Sequence, residues 1–300
     1  METCPVEILY LIFSYACTDD GHTGRALSLV SRNIRVLSRP YQFQSIAVYG
    51  DRQITAFADL LETLEPASRC VRHLFLTDIR RAWMEDPGIP AGLDRFRTAN
   101  LLCLPGRPTA MFNADDLLRL VRLVSPHLNT LALILFNPYG RNPLSLAFPS
   151  LTELTIHLTS LSVVAHWQEP HANAPDPEIT ACPSLRRLHV IQNNPLHSNV
   201  PAAVSRIAPR LTHLRLSLLS PYSIHVHASD LECVLGVDDP PAPGCGYPPT
   251  LEKIVVQPTQ TVRRLREILD PEDSLSKASA RAPDLVVADP TLMRALRLLR

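Results

Sequence analysis

A short pattern of apolar and polar positions recurs along the chain: Pro-x-Leu-x-x-Leu-x-(Leu/Ile/Val). Five copies occupy residues 126–133, 149–156, 183–190, 209–216 and 249–256. A weaker copy without the proline begins at Val71. We number each unit from its first apolar residue, so positions 1, 4 and 6 are apolar. This alternation predicts a strand with one buried face, and its repetition predicts stacked units that share a continuous core.

Segments with helical spacing separate these strands. An earlier strand is predicted at Ser45–Tyr49, followed by a helix that Asp51 caps and that runs to Leu64. Further helices are predicted from Asn113, near Asn199, and within 229–235 and 261–269. Residues 80–109, 168–183 and 238–249 are predicted loops, and a last strand (285–287) and helix (291–300) are possible. The alternation indicates an α/β fold with a curved parallel sheet.

The first 48 residues follow another pattern. Pro5 and Glu7 suit the start of a helix whose apolar residues, up to Ala16, lie on more than one side. Two shorter helices are predicted, from about Thr23 to Ser31 and from Asn33 to Ser38. Three short helices bury little of their own apolar surface, so we expect a partner to cover them. We therefore divide the chain into a helical domain, 1–48, and an α/β domain, 49–300.

The composition narrows the function classes. The 29 basic and 29 acidic side chains cancel, so net charge gives no reason to expect nucleic acid as a partner. No basic region precedes the N-terminal apolar stretch, and we predict neither a signal peptide nor a membrane span. The cysteines form no C-x-x-C pair, which indicates reduced thiols and a cytoplasmic or nuclear location. They are Cys4, Cys17, Cys70, Cys103, Cys182, Cys233 and Cys245.

Candidate chemistry is sparse. The sequence contains no G-x-S-x-G, H-E-x-x-H or G-x-x-x-x-G-K-(S/T) motif, so we expect no enzyme activity and no cofactor. His225 and His227 would share one side of a strand, with Cys233 nearby. Because zinc needs four ligands and no cysteine pair completes the set, we expect no metal site.

Two resemblances suggest a family. The strand pattern resembles the leucine-rich repeat over about residues 70–300, although the Asn or Cys that usually follows appears once, as Asn193. Residues 4–13, Cys-Pro-Val-Glu-Ile-Leu-Tyr-Leu-Ile-Phe, resemble the first helix of an F-box, with Cys4 in place of the usual Leu. Residues 27–32, Leu-Ser-Leu-Val-Ser-Arg, fit the middle of that motif, without the Trp that commonly follows. Residues 39–46 are similar to the join in fungal F-box proteins with degenerate leucine-rich repeats.

The resemblance implies a fold and a function. The fold would be a short three-helix F-box-like segment followed by an irregular leucine-rich-repeat solenoid with a curved parallel sheet. The function would be substrate recognition in an SCF-type cullin–RING ubiquitin ligase, with docking on the SKP-family adaptor and on cullin through it. The expected adaptor-binding residues are Pro5, Ile8, Leu9, Ile12, Phe13, Leu29 and Val30. Of these, Pro5, Leu9 and Phe13 recur every four residues and are expected to form a shared exposed stripe.

The repeats would bind a protein substrate through the concave sheet face, which positions 3, 5 and 7 are expected to line. The candidate residues there are His73, Phe75, Glu153, His157, Arg187, His189, His213, Arg215 and Lys253. This set has a basic tendency. The proline-rich loops are the rival substrate site.

Two other functions stay open. The chain could be a repeat scaffold for protein interactions whose N-terminal helices only cap one end, since solenoids need such caps. It could also be an α/β hydrolase, which the missing nucleophile motif disfavours.

Overall fold

The computed structural model describes residues 4–79, 114–135, 146–158, 182–192, 200–219 and 247–258. The helices are α1 Val6–Ala16, α2 His22–Val30, α3 Arg32–Ser38, α4 Gly50–Thr63, α5 Ala114–Val124 and α6 Val200–Ile207. The strands are β1 Ser45–Tyr49, β2 His73–Thr77, β3 Thr130–Ile134, β4 Glu153–Leu158, β5 Arg187–Gln192, β6 His213–Leu219 and β7 Lys253–Pro258. The segments predicted at 80–109, 229–235, 261–269, 285–287 and 291–300 lie outside the described residues, as does most of 168–183 and 238–249.

The strands form one parallel sheet of seven, arranged in chain order from β1 to β7. The register keeps equal positions of the repeat side by side, so Thr130 lies beside Glu153, then Arg187, His213 and Lys253. The predicted α/β class and parallel sheet are confirmed. In the structure, each repeat strand starts at position 3 of its unit, because positions 1 and 2 belong to the turn that leads into the strand.

One face of the sheet and the helices form the core. Side chains at positions 4 and 6, such as Leu154 and Ile156, pack in one cluster with apolar residues of α4, α5 and α6. Position 1 belongs to the same cluster and is fully buried in most units: Val71, Leu128, Leu151, Leu185 and Leu211. The predicted core positions are therefore confirmed.

A backbone pattern repeats where each strand begins. The carbonyl of Arg72 accepts hydrogen bonds from the N–H groups of Asn129 (2.8 Å) and Thr130 (2.9 Å) in the next unit. The same pair of hydrogen bonds is accepted by the carbonyls of Gln44, Asn129, Thr152, Arg186 and Thr212. These bonds satisfy polar groups between the units and hold neighbouring strands in register.

Side-chain hydroxyls strengthen this junction. Ser184 donates to the carbonyl of Pro149 at 2.7 Å, and Thr250 donates to that of Pro209 at 3.2 Å. Ser150 contacts the carbonyl of Pro126 in the same way, at 3.3 Å. The residue after the repeat proline therefore links its own unit to the preceding one.

The helices α4 and α5 pack against each other beside the sheet. Arg119 on α5 forms ion pairs with Glu62 (2.9 Å) and Asp116 (3.0 Å), and a third with Asp59. The predicted cap at the start of α4 is wrong, because no side chain caps that helix end and Asp51 lies within its first turn. Instead, the Tyr49 N–H donates to Gln53 Oε1 at 3.0 Å.

The three N-terminal helices form a unit, and the turn between α1 and α2 contacts the outer edge of β1. Gln44 Nε2 donates to the carbonyl of Ser14 at 2.8 Å, and the Ala47 N–H donates to the carbonyl of Asp20 at 3.4 Å. Gly21, in the turn between α1 and α2, permits a close approach to β1, because a Cβ there would lie 2.7 Å from Ile46 Cδ1. The helical unit and the sheet are thus joined by hydrogen bonds and by packing.

Candidate functional site

The inner side of α1 packs onto the rest of the helical unit. Phe13 is 4% exposed, Cys17 is buried, and the ring of Tyr10 lies 6.0 Å from that of Tyr41. These residues are spaced by three and four, so they share one side of the helix. The predicted exposed stripe of Pro5, Leu9 and Phe13 is therefore wrong, since Phe13 is core and Leu9 is half-buried.

The outer side of α1 is apolar and open to solvent. Ile8, Leu11, Ile12 and Tyr15 follow the spacing i, i+3, i+4 and i+7, which places them along one face. Their exposed fractions are 45%, 54%, 51% and 78%. We call these four residues the outer stripe. Monomeric proteins rarely leave a continuous apolar face of this kind uncovered.

The other predicted adaptor-binding residues are all exposed. Pro5 is exposed at the start of α1, and Leu29 and Val30 are exposed at the end of α2. Ile8 and Ile12 belong to the outer stripe, whereas the prediction missed Leu11 and Tyr15. The spacing i, i+3, i+4, i+7 places Leu11 and Tyr15 on the same face as Ile8 and Ile12. The sequence alone did not single out this face, because α1 has a second apolar side.

The sheet face opposite the helices carries the predicted substrate residues. Side chains at positions 3 and 5 are exposed or half-buried there: His73, Phe75, Thr130, Ala132, Glu153, Thr155, Arg187, His189, His213, Arg215, Lys253 and Val255. We call this the open face. Two aromatic rings lie at its β1–β2 end, where Tyr49 and Phe75 have centroids 5.4 Å apart.

Position 7 does not belong to the open face. Its side chains are buried in five successive strands: Thr77, Ile134, His157, Ile191 and Ser217. The assignment of His157 to a substrate surface is therefore wrong. Its Nδ1 donates to the Leu135 carbonyl at 2.9 Å, and burial lowers its pKa to about 4. His157 is a neutral core residue at physiological pH.

His189 does not contribute to the predicted basic character of the open face. Burial, together with the nearby charge of Arg215, lowers the pKa of His189 to about 4, and its Nε2 lies 2.9 Å from Ser217 Oγ. Burial and the charge of Arg72 also lower the pKa of His73. Neither imidazole is a cation at neutral pH. The basic character therefore comes from Arg187, Arg215 and Lys253, on β5, β6 and β7.

Further polar side chains on the open face also have defined partners. Arg187 Nη1 lies 2.9 Å from Glu153 Oε1 in an exposed ion pair, which contributes little stability. His213 Nδ1 lies 2.8 Å from Thr212 Oγ1, whose hydroxyl donates to the Arg186 carbonyl at 3.0 Å. Because that hydroxyl proton is already used, Nδ1 is the donor, and this bond fixes the orientation of the ring.

Other kinds of site find no support in the part of the chain that the structure describes. There, no group of three or more His, Cys, Asp or Glu side chains is placed to hold a metal ion. The pair His225 and His227, with Cys233, lies outside the described residues. Cys4, Cys17 and Cys182 are free thiols, and burial raises the pKa of Cys182 to about 12, which makes it unreactive.

Among the described helices, none combines the length and the apolar character needed to cross a bilayer.

No protein-family model matches the sequence, and no curated protein matches it either.

Proposed function

We propose that this protein is a substrate receptor of an SCF-type cullin–RING ubiquitin ligase. The three-helix unit would dock on the SKP-family adaptor, and the open face of the sheet would hold a protein substrate. In this proposal the unit is F-box-like and the sheet is an irregular leucine-rich-repeat solenoid. The F-box-like residues 4–13 and 27–32 supply the link to this class of ligase.

The outer stripe is the observation that carries the proposal. One side of α1 is already buried in the helical unit, so the opposite side serves neither the core nor the sheet. Its spacing is the one by which an amphipathic helix docks in a hydrophobic groove. Leu29 and Val30 add exposed apolar surface within the same unit. An adaptor subunit would cover these groups.

The mechanism is proximity. A receptor of this kind raises the effective concentration of the substrate near the ubiquitin-loaded enzyme, and it supplies no catalytic group. Its two binding surfaces must then keep a defined separation. The bonds from Gln44 to Ser14 and from Ala47 to Asp20, with the close packing of Gly21 on Ile46, tie the helical unit to β1 and so favour a fixed geometry.

A scaffold without ligase association is the second candidate. The helical unit does contact the edge of β1, as a capping element would. However, the contact with β1 is made through the Asp20 carbonyl and Gly21, and it does not require Ile8, Leu11, Ile12 or Tyr15 to be apolar. The two functions therefore differ in whether the outer stripe has a partner.

Co-expression with an SKP-family adaptor and co-purification test the proposal. The full chain should bind the adaptor, and Leu11→Glu with Ile12→Glu should weaken binding by about 30-fold or more, since the loss of even one buried apolar anchor costs about 2 kcal/mol. The matched control is Leu60→Glu, which adds a carboxylate at a 40% exposed leucine on α4 and should leave binding unchanged.

Circular dichroism and thermal unfolding should show that all variants fold like the parent. Absence of binding by the parent chain, or equal binding by the stripe variant, would refute the receptor assignment and favour the scaffold.

A further inference from the structure

We propose that the β5–β7 part of the open face binds an extended acidic peptide. Arg187, Arg215 and Lys253 supply the charge, and we call these three residues the basic triad. The assignment of this peptide to a ligase substrate rests on the proposed function, whereas the binding itself does not.

The sheet register brings the triad together. Arg187, His213 and Lys253 are direct neighbours on β5, β6 and β7, and Arg215 lies two residues after His213 on the same face. Neighbouring strands are about 4.8 Å apart, so Arg187 and Lys253 are separated by about 10 Å. An extended peptide that crosses the strands spans this distance with about three residues, which allows side chains on one of its edges to reach successive cations.

On β5, β6 and β7, the described side chains at positions 3 and 5 include three cations and no carboxylate. Among all the described residues at positions 3 and 5, Glu153 is the only carboxylate, and it lies on β4, next to the β5–β7 part of the face. Its exposed pair with Arg187 uses one of the guanidinium donors and leaves others for a ligand. Lys253 forms no ion pair with any described residue.

The neutral side chains around the triad favour a peptide over a small anion. His189 is uncharged and half-buried beside Arg215, and Val255 is half-buried on its other side. These groups form a floor between the cations that a peptide backbone and its short side chains can contact. A small anion would use the cations without this floor.

The β2–β4 part of the same face has a different character. Its residues at positions 3 and 5 include Phe75, Thr130, Ala132 and Thr155, none of which is charged. Acidic segments should therefore bind at the β5–β7 end rather than along the whole sheet. Complementary charge would also raise the association rate and make it sensitive to salt.

Fluorescence anisotropy with the full chain tests this inference. The probe is a labelled Glu-Ser repeat peptide, compared with a Gln-Ser repeat peptide of equal length. The acidic probe should bind, the neutral one should not, and binding should weaken as salt is raised. Replacing the triad by glutamine, Arg187→Gln, Arg215→Gln and Lys253→Gln, should weaken binding about tenfold or more.

The matched control is Arg52→Gln, Arg122→Gln and Arg206→Gln, which removes the same charge from exposed positions on the helices. This variant should bind like the parent. Equal loss in both variants would mean that only net charge matters and would overturn the inference. A uridine oligonucleotide that binds the triad more tightly than the peptide would overturn it in favour of nucleic acid.

The two proposals fail separately. Peptide binding is measured without the adaptor, so its loss says nothing about the outer stripe. Adaptor binding by a chain that ignores acidic peptides would keep the receptor and refute the substrate class.

Discussion

The sheet and the helix α1 use apolar residues in opposite ways. In the sheet, leucines recur at fixed positions and nearly all are buried, so each unit covers the next. In α1, apolar residues surround the helix, and one full side of them stays in solvent. In the sheet, neighbouring repeat units bury one another's apolar residues, whereas in α1 an apolar surface is left for another molecule to cover.

The difference shows how stability and binding are separated in one chain. A repeat strand has one buried face because its neighbours repeat the same pattern, and its other face is free to vary. Helix α1 has no such neighbours; among the described residues it packs on α2 and α3 and contacts Tyr41 and Gln44, which precede β1. Its outer side therefore contributes little to folding, and substitutions there report on binding.

The largest expected contrast comes from one substitution at two leucines. Leu154→Ala, at a 2% exposed core position, should lower the free energy of unfolding by about 3 kcal/mol through lost burial and a cavity. Leu11→Ala, at a 54% exposed position, should change it by less than about 0.5 kcal/mol, because alanine favours the helix.

Urea denaturation of both variants measures the contrast. A large loss of stability at Leu11 would show that the outer stripe is structural and would remove the main support for a docking role.

The repeat was predictable from sequence because its signals are local and agree with one another. Leucine spacing, the alternation and the turn proline all indicate the same strand, and the sheet bears this out. The hydroxyl after the proline was visible in Ser150, Ser184 and Thr250, but its role needs the carbonyl of the preceding unit. Such a bond depends on how units stack, which one unit alone does not reveal.

The site was less predictable for two physical reasons. Helix α1 is apolar on several sides, so spacing alone does not decide which side the rest of the unit covers. The packing of Tyr10 against Tyr41 and the hydrogen bond from Gln44 to Ser14 decide it. On the sheet, buried and exposed side chains alternate only up to position 6, because the side chain at position 7 is buried as well. Ile134 and Ile191, which flank His157, carried this signal.

His157 predicts an intermediate effect of pH on the sheet. Its folded-state pKa is about 4, against 6.5 ordinarily, so the unfolded chain takes up a proton first as pH falls. Above about pH 6.5, His157 is neutral in both the folded and the unfolded chain, and it does not reduce the free energy of unfolding. Between about pH 6.5 and pH 4, only the unfolded chain binds the proton, so the free energy of unfolding falls as the pH is lowered. From pH 7 to pH 5 this group should cost about 2 kcal/mol of stability.

His157→Asn keeps a donor near the Leu135 carbonyl but does not titrate, so it should reduce this acid sensitivity. Urea denaturation at both pH values provides the measurement. The control is His22→Asn on α2, at an exposed histidine in the helical unit. An unchanged pH dependence in His157→Asn would contradict the neutral core assignment.

The smallest contrast concerns two serine hydroxyls. Ser184→Ala removes the bond to the Pro149 carbonyl, which joins two repeat units, and should cost about 1 kcal/mol. Ser14→Ala removes a bond to the Leu11 carbonyl within α1, where alanine is the better helix former, so stability should stay equal or rise slightly. Thermal unfolding of both variants compares them. Equal losses would mean that the hydroxyl between units does no more than a hydroxyl within one helix, and the sheet would then depend on its backbone bonds and leucines alone.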